Sequence, residues 1–319
     1  MKARICKQCG TRNDFDARFC KECGAMMGNT DLMDMPDVAP DPGLVIDGAI
    51  LRKFDESRAK SRDITIPNGV KIVGDDAFKG CTTLERVVIP DTCILLANSC
   101  FEGCTSLKEA VIGDAVRLIG GNAFKDCSAL KRLFVGSGIM QVESCAFKEC
   151  HALNEVQFMG TIAEWCDITF ADSSANPLSY AHNLSIDGDV VSDLVIPDGV
   201  KEIKKYAFDG CSCLTTLVVA DSVTTIGHYA FGFCTYLFQV DLGNGVSWIQ
   251  SNAFNKCAYL HNIYLPSSVT KVDEYAFGGF NYLTIDSALH YQPGGFNAYW
   301  NRRSATDTSC ATVNWGVTK

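Results

Sequence analysis

The feature that most constrains this chain is a step of 23 residues. Phenylalanine recurs at Phe78, Phe101, Phe124 and Phe147, then at Phe208, Phe231, Phe254 and Phe277. Other apolar positions keep the same step: Leu84, Leu107, Leu130 and Leu153 six residues later, Val73, Leu96, Ile119 and Val142 five residues earlier. A fixed period of ~20–50 residues marks stacked repeats, in which each unit buries its apolar face only against its neighbours. Within a unit, "LERVVIP" (84–90) alternates apolar positions and closes on proline, as a short strand and turn do. "GVKIVG" (69–74) is β-branched and reads as extended. "DDAFKGC" (75–81) suits one helical turn with an aspartate N-cap and a glycine stop. The expected coil is strand, turn, strand, helical turn. About ten coils at ~4.8 Å spacing span roughly 45–50 Å.

The composite pattern I-P-x-x-V-x-x-I-x-x-x-A-F-x-x-C-x-x-L-x-x-V resembles the BspA-like class of leucine-rich repeats, over roughly residues 44–287. The resemblance implies a leucine-rich-repeat solenoid of the α/β class, β-rich, with 23-residue coils. It also implies a role in binding other macromolecules, and many relatives are surface proteins or adhesins. Two irregularities interrupt the period. The segment 160–189 is an irregular insert carrying Trp165, the string "NPLSYAHNL" and an Asp187-Gly188 pair, and a similar insert recurs in relatives. Asp-Gly between apolar stretches signals a hairpin, and "LVIDGAIL" at residue 44 has the same shape. After Leu283 the pattern decays, so 288–319 is expected to be a C-terminal cap or tail.

Ahead of the repeats, Cys6 and Cys9 form one C-x-x-C and Cys20 and Cys23 another, each followed by glycine. Two such turns facing each other complete a tetrahedral sulfur site that suits one structural zinc. The competing reading, a redox dithiol, needs a βαβ context that so short a stretch does not supply. The stretch resembles the short bacterial zinc-ribbon family through Thr11, Asn13 and the run Ala17–Cys20. The expected organisation is a zinc ribbon at 1–27, a flexible acidic linker at 28–43, the solenoid at 44–287 and the cap or tail beyond.

Seven further cysteines share one repeat slot: Cys81, Cys104, Cys127, Cys150, Cys211, Cys234 and Cys257, with Phe280 in the eighth. A slot that accepts phenylalanine wants an apolar side chain, so these read as packed thiols. Five scattered histidines form no metal or nucleophile motif, and no phosphate-binding or dinucleotide fingerprint occurs. A non-enzymatic protein is expected. The net charge of −9 argues against a general nucleic-acid or anionic-membrane binder, and no apolar run reaches the ~18 residues of a membrane span. With no export signal in view, the cytoplasm is the expected location.

The remaining candidate is the strand face. Residues between the inward apolar positions are expected to point outward: Arg86, Glu109, Arg132, Phe134, Glu155, Gln157, Gln239, Asp241, Asn262 and Tyr264, with Val88, Val111 and Val218 among them. That mixed stripe suits a protein partner better than phosphate. The leading expectation is a scaffold or adaptor that grips a protein through this face, with the zinc ribbon as second module. The alternatives are nucleic-acid association through the ribbon, or a surface adhesin exported by an unrecognised route.

Overall fold

Each coil opens with a strand of about four residues, and strands 23 residues apart stack parallel and in register. Arg86, Glu109, Arg132 and Glu155 stand side by side, as do Val87, Ala110, Leu133 and Val156. In this computed structural model residues 40–307 and 309–318 are described, with three short strands ahead of them. Those strands, Lys2–Ile5, Arg12–Asn13 and Leu32–Asp34, pair antiparallel. Leu32–Asp34 falls in the stretch expected to be a flexible linker. Cys6, Cys9, Cys20 and Cys23 lie outside the described residues.

The first sheet has seven strands, from Asp63–Thr65 to the hairpin of Ser185–Ile186 and Asp189–Val190. A second seven-stranded sheet consists mostly of two-residue strands such as Ile72–Val73 and Leu95–Leu96. It begins at the antiparallel hairpin Leu44–Asp47 and Ile50–Phe54. Both expected hairpins form. Asp187 and Gly188 adopt φ of 54° and 89°, the paired left-handed conformation that tight hairpin turns demand. Beyond the insert, new parallel sheets start at Asp193–Ile196 and Glu202–Ile203.

The third side of the coil differs from expectation. Asp76 is left-handed rather than the extended N-cap of a helical turn. The same slot is left-handed at Ser99, Asn122, Cys145, Tyr206, Tyr229, Asn252 and Tyr275, all with φ between 51° and 61°. A second left-handed residue follows four positions later, at Gly80 and Gly103 but also at Asp126 and Lys256. Left-handed residues on both sides of Ala-Phe re-aim alternate peptide groups along the stack, so they bond to the next coil instead of closing a helix. The N–H groups of Asp76, Phe78 and Gly80 donate to the carbonyls of Asn98, Cys100 and Glu102 at 3.1, 2.7 and 2.7 Å. The turn is thus a third ladder between coils.

The phenylalanines fill the space inside. Phe78, Phe101, Phe124 and Phe147 stack with centroids 4.8–5.4 Å apart, and Phe208 to Phe277 repeat the stack at 5.3–5.6 Å. The insert joins the two stacks. Thr161 and Glu164 cap the helix Ile162–Cys166 reciprocally, which sets Trp165 into the core. In regular coils the alanine carbonyl takes the phenylalanine N–H of the coil before, as Ala123 does from Phe101 at 2.8 Å. At Ala207 two side chains replace that donor: Trp165 Nε1 at 2.7 Å and Asn176 Nδ2 at 3.2 Å.

The 23-residue step also outlives Leu283, the point at which the sequence pattern decays. Trp300 lies one period after Phe277 and packs edge-on against it at 6.2 Å. Gly295–Phe296 pairs with Lys271–Val272, and Thr312–Trp315 with Thr284–Ser287. One continuous core therefore runs from Leu51 to Ala311.

Candidate interaction surface

Residues that meet across coils share a repeat slot, so the surface is built of columns. In the first run of coils the columns alternate in charge. Glu109 accepts from Arg86 Nε at 2.6 Å and from Arg132 Nη2 at 2.5 Å. Glu85 sits between Arg62 at 2.9 Å and Lys108 at 2.6 Å, and Glu102 between Lys79 at 3.1 Å and Lys125 at 3.2 Å. The two lysines beside Glu102 are held above the usual ammonium value, chiefly by their hydrogen bonds to that carboxylate. Exposed pairs like these add little to stability, because water screens them. Their larger effect is to tie neighbouring coils together, since each glutamate is shared by two cations from the coils on either side.

The ten strand-face residues do not form one uniform stripe. Arg132, Gln239 and Asn262 are exposed, while Arg86, Glu109, Phe134, Glu155, Asp241 and Tyr264 are half-buried. Tyr264 gives its hydroxyl to the Val317 carbonyl at 3.3 Å, reaching across to the chain just after the strand Thr312–Trp315. Gln157 corrects the expectation, being only 3% exposed. It stands in register between Phe134 and Ser185, and the hairpin of the insert continues the sheet beside it. Flanking strands at ~4.8 Å leave a side chain in such a row little solvent. Val88, between Thr65 and Val111, is buried as well.

A different column is the open one. The slot five residues after each phenylalanine holds Thr83, Ser106, Ala129 and Ala152 in the first run, but Tyr236, Tyr259 and Tyr282 in the second. These tyrosines are 55%, 52% and 83% exposed, and the first two rings lie 5.5 Å apart. Phe233 and Phe238 are exposed near this row in sequence. The row runs into an open cleft of about 840 Å³ lined by His261, Tyr282, Arg303 and Cys310. The period itself carried this signal, since one slot turns from small to aromatic between coils.

The repeating thiols are packed as expected, and they also bond. Cys104, Cys127 and Cys150 donate to the carbonyls of Phe78, Phe101 and Phe124 at 3.1–3.2 Å. Cys234 and Cys257 do the same to Phe208 and Phe231 at 3.2 Å. Each bond crosses to the preceding coil. Burial pushes the Cys150 thiol up to about 12, so it stays protonated and inert. Phe280, in the eighth slot, is buried too. Near the insert, Asp209 is 1% exposed. One carboxylate oxygen accepts from Ser173 at 2.6 Å and Ser179 at 3.5 Å, and the other has no partner. Burial pushes its pKa up to about 6. Among the described residues no group of three or more His, Cys, Asp or Glu could hold a metal ion, and no helix is long and apolar enough to cross a membrane.

Comparison with known proteins agrees with this architecture. The family model described as BspA type leucine-rich repeat region matches residues 52–176 and 188–301. No curated protein matches the chain. Among solved structures, it is similar to a leucine-rich cell surface protein of Faecalibacterium prausnitzii, with 21% identity, 90% of this chain and 96% of that one covered, and a TM-score of 0.37. It is also similar to a T. pallidum leucine-rich repeat protein, with 22% identity, 66% and 82% covered and a TM-score of 0.38. The pneumococcal vaccine antigen PcpA gives 15% identity, 79% and 81% covered and a TM-score of 0.39. The 23-residue coil, its phenylalanine stack and the extent of the family match together place the chain in the BspA type leucine-rich repeat family.

Proposed function

We propose that the chain is a non-enzymatic interaction scaffold that grips a protein partner through the tyrosine row and the strand face of those same coils. The observation that carries this reading is the exposure of Tyr236, Tyr259 and Tyr282 in one column that leads into the cleft. Tyrosine offers a large rigid surface with a polar edge, and it is enriched where interfaces concentrate their energy. The charge columns of the first run are already paired with each other and offer a partner less. Cys6, Cys9, Cys20 and Cys23 would hold one structural zinc in a second module. Nucleic acid is the less suited partner, because a net charge of −9 repels phosphate.

The thirteen described cysteines are all free thiols, as a reducing compartment keeps them. The description of the F. prausnitzii protein as a cell surface protein points the other way. Protease treatment of intact cells distinguishes the two locations, since only a surface chain is cleaved.

The partner reading is tested by affinity capture with the wild-type chain, a Tyr236→Ala/Tyr259→Ala/Tyr282→Ala variant and an Arg132→Ala variant. The tyrosine variant is expected to lose the captured protein and Arg132→Ala to keep it. Equal recovery by all three would overturn the assignment.

A further inference from the structure

Cys211 breaks the ladder's rule within the stack, as Cys81 does in the first coil, where its sulfur faces Thr83. Five others donate to a phenylalanine carbonyl 26 residues earlier. The coil before Cys211 is the insert, which has no Ala-Phe turn, and Cys211 turns instead toward Cys213. Their sulfurs lie 3.6 Å apart. Cys211 is fully buried, whereas Cys213 is half-buried and in reach of small solutes. The backbone fixes Cys213, since its N–H donates to the His182 carbonyl at 3.1 Å. Its thiol also donates to the Val191 carbonyl at 3.4 Å. Cys213 occupies the slot that the following coils fill with Tyr236, Tyr259 and Tyr282.

We propose that Cys211 and Cys213 form a thiol–disulfide exchange site that takes low-molecular-weight disulfides as oxidant and closes reversibly to an intrachain disulfide. With the Cys213 S–H directed at Val191, the Cys211 thiol is left as the donor to the Cys213 sulfur. That hydrogen bond draws the Cys213 thiol below the usual thiol value, while it and burial push Cys211 above. Cys213, the half-buried sulfur that a small disulfide reaches first, is the attacking thiolate, and the buried Cys211 is the resolving thiol. The Cys213 thiolate attacks one sulfur of the small disulfide, whose S–S bond breaks, and the departing half takes up a proton as a free thiol. A mixed disulfide remains on Cys213. Cys211 then gives up its proton, attacks the Cys213 sulfur and expels the second half as a second thiol. Two protein thiols lose two electrons, and one small disulfide becomes two thiols. The sulfurs must close from 3.6 Å to bonding distance, which draws Cys211 out of the ladder column toward the tyrosine slot.

The test incubates the full chain with oxidised glutathione, alkylates the native protein and then maps its peptides by mass spectrometry. The expected wild-type product has Cys211 joined to Cys213, both reopened by reductant, while Cys234 and Cys257 are alkylated only after unfolding. Cys211→Ser is expected to stop at a glutathione adduct on Cys213. Cys213→Ala places there the residue that Ala129 and Ala152 carry in the same slot. It is expected to form neither species and to melt as the wild type does. Wild-type chain that keeps both thiols alkylatable while exposed Cys310 is oxidised would overturn the proposal. So would wild-type chain that holds as much Cys213 adduct as Cys211→Ser.

Discussion

At Cys127 one side chain both fills the core and ties two coils together. Its burial was legible in sequence, because Phe280 in the same slot shows that the position wants apolar volume. Its bond to the Phe101 carbonyl was not, because that acceptor lies in the preceding coil and register decides which carbonyl it meets. Cys127→Ala removes the sulfur and the S–H donor together. It is expected to lower stability by about 1–2 kcal/mol in denaturant unfolding. Asp209 gives a test with a sign. Its folded value, about 6, lies above the 3.8 of an ordinary aspartate, so the folded chain holds the proton more tightly than the unfolded one. Its contribution to stability is then full below about pH 4 and is lost as pH rises through about 6. Asp209→Asn cannot ionise. Relative to wild type it should gain up to about 3 kcal/mol between pH 4 and pH 7, then level off. A difference in stability that stays flat with pH would show that the buried carboxylate does not titrate there.

Among the elements, the strands were the most legible, because alternation and period both report on side chains that face one core. The turn was misread as helical. Asp76, Ser99, Cys145 and Tyr206 share a left-handed slot without a glycine to announce it. The insert was legible as a break in the period that carries a hairpin signal, yet the work of Trp165 and Asn176 was hidden. Both serve Ala207, whose carbonyl lies 42 residues from Trp165 and 31 from Asn176. Trp165→Phe keeps a ring in the core but removes a donor, and Asn176→Ala removes the other. Each single change is expected to cost about 1–3 kcal/mol. The double variant, which leaves a buried carbonyl without its side-chain donors, should cost more than their sum. Additive costs in a double-mutant cycle would mean that the two donors do not share that acceptor.

For the whole molecule, a stack of coils is stabilised by contacts between neighbours, and its ends need covering. The hairpin at Leu44–Phe54 covers one end, and the coils carrying Trp300 and Trp315 extend the other. The last stretch was illegible because tryptophan replaced phenylalanine and the return to the next strand lengthened: Thr284 to Thr312 spans 28 residues, five beyond the period. The described core is one apolar cluster, the kind of packing that stabilises coils against each other. A module of 27 residues has the opposite problem, too little core to fold alone, so bound zinc would supply most of its folding energy. The two parts should therefore respond separately to a chelator. Zinc analysis of the full chain is expected to give about one ion per chain, with Cys6→Ser/Cys20→Ser giving none. Chelation should expose Cys6, Cys9, Cys20 and Cys23 to thiol reagents and leave the main melting transition where it was. If chelation shifted that transition, the metal would be bound to the folding of the coils, and the division of the chain into an independent zinc module and a self-sufficient solenoid would fail.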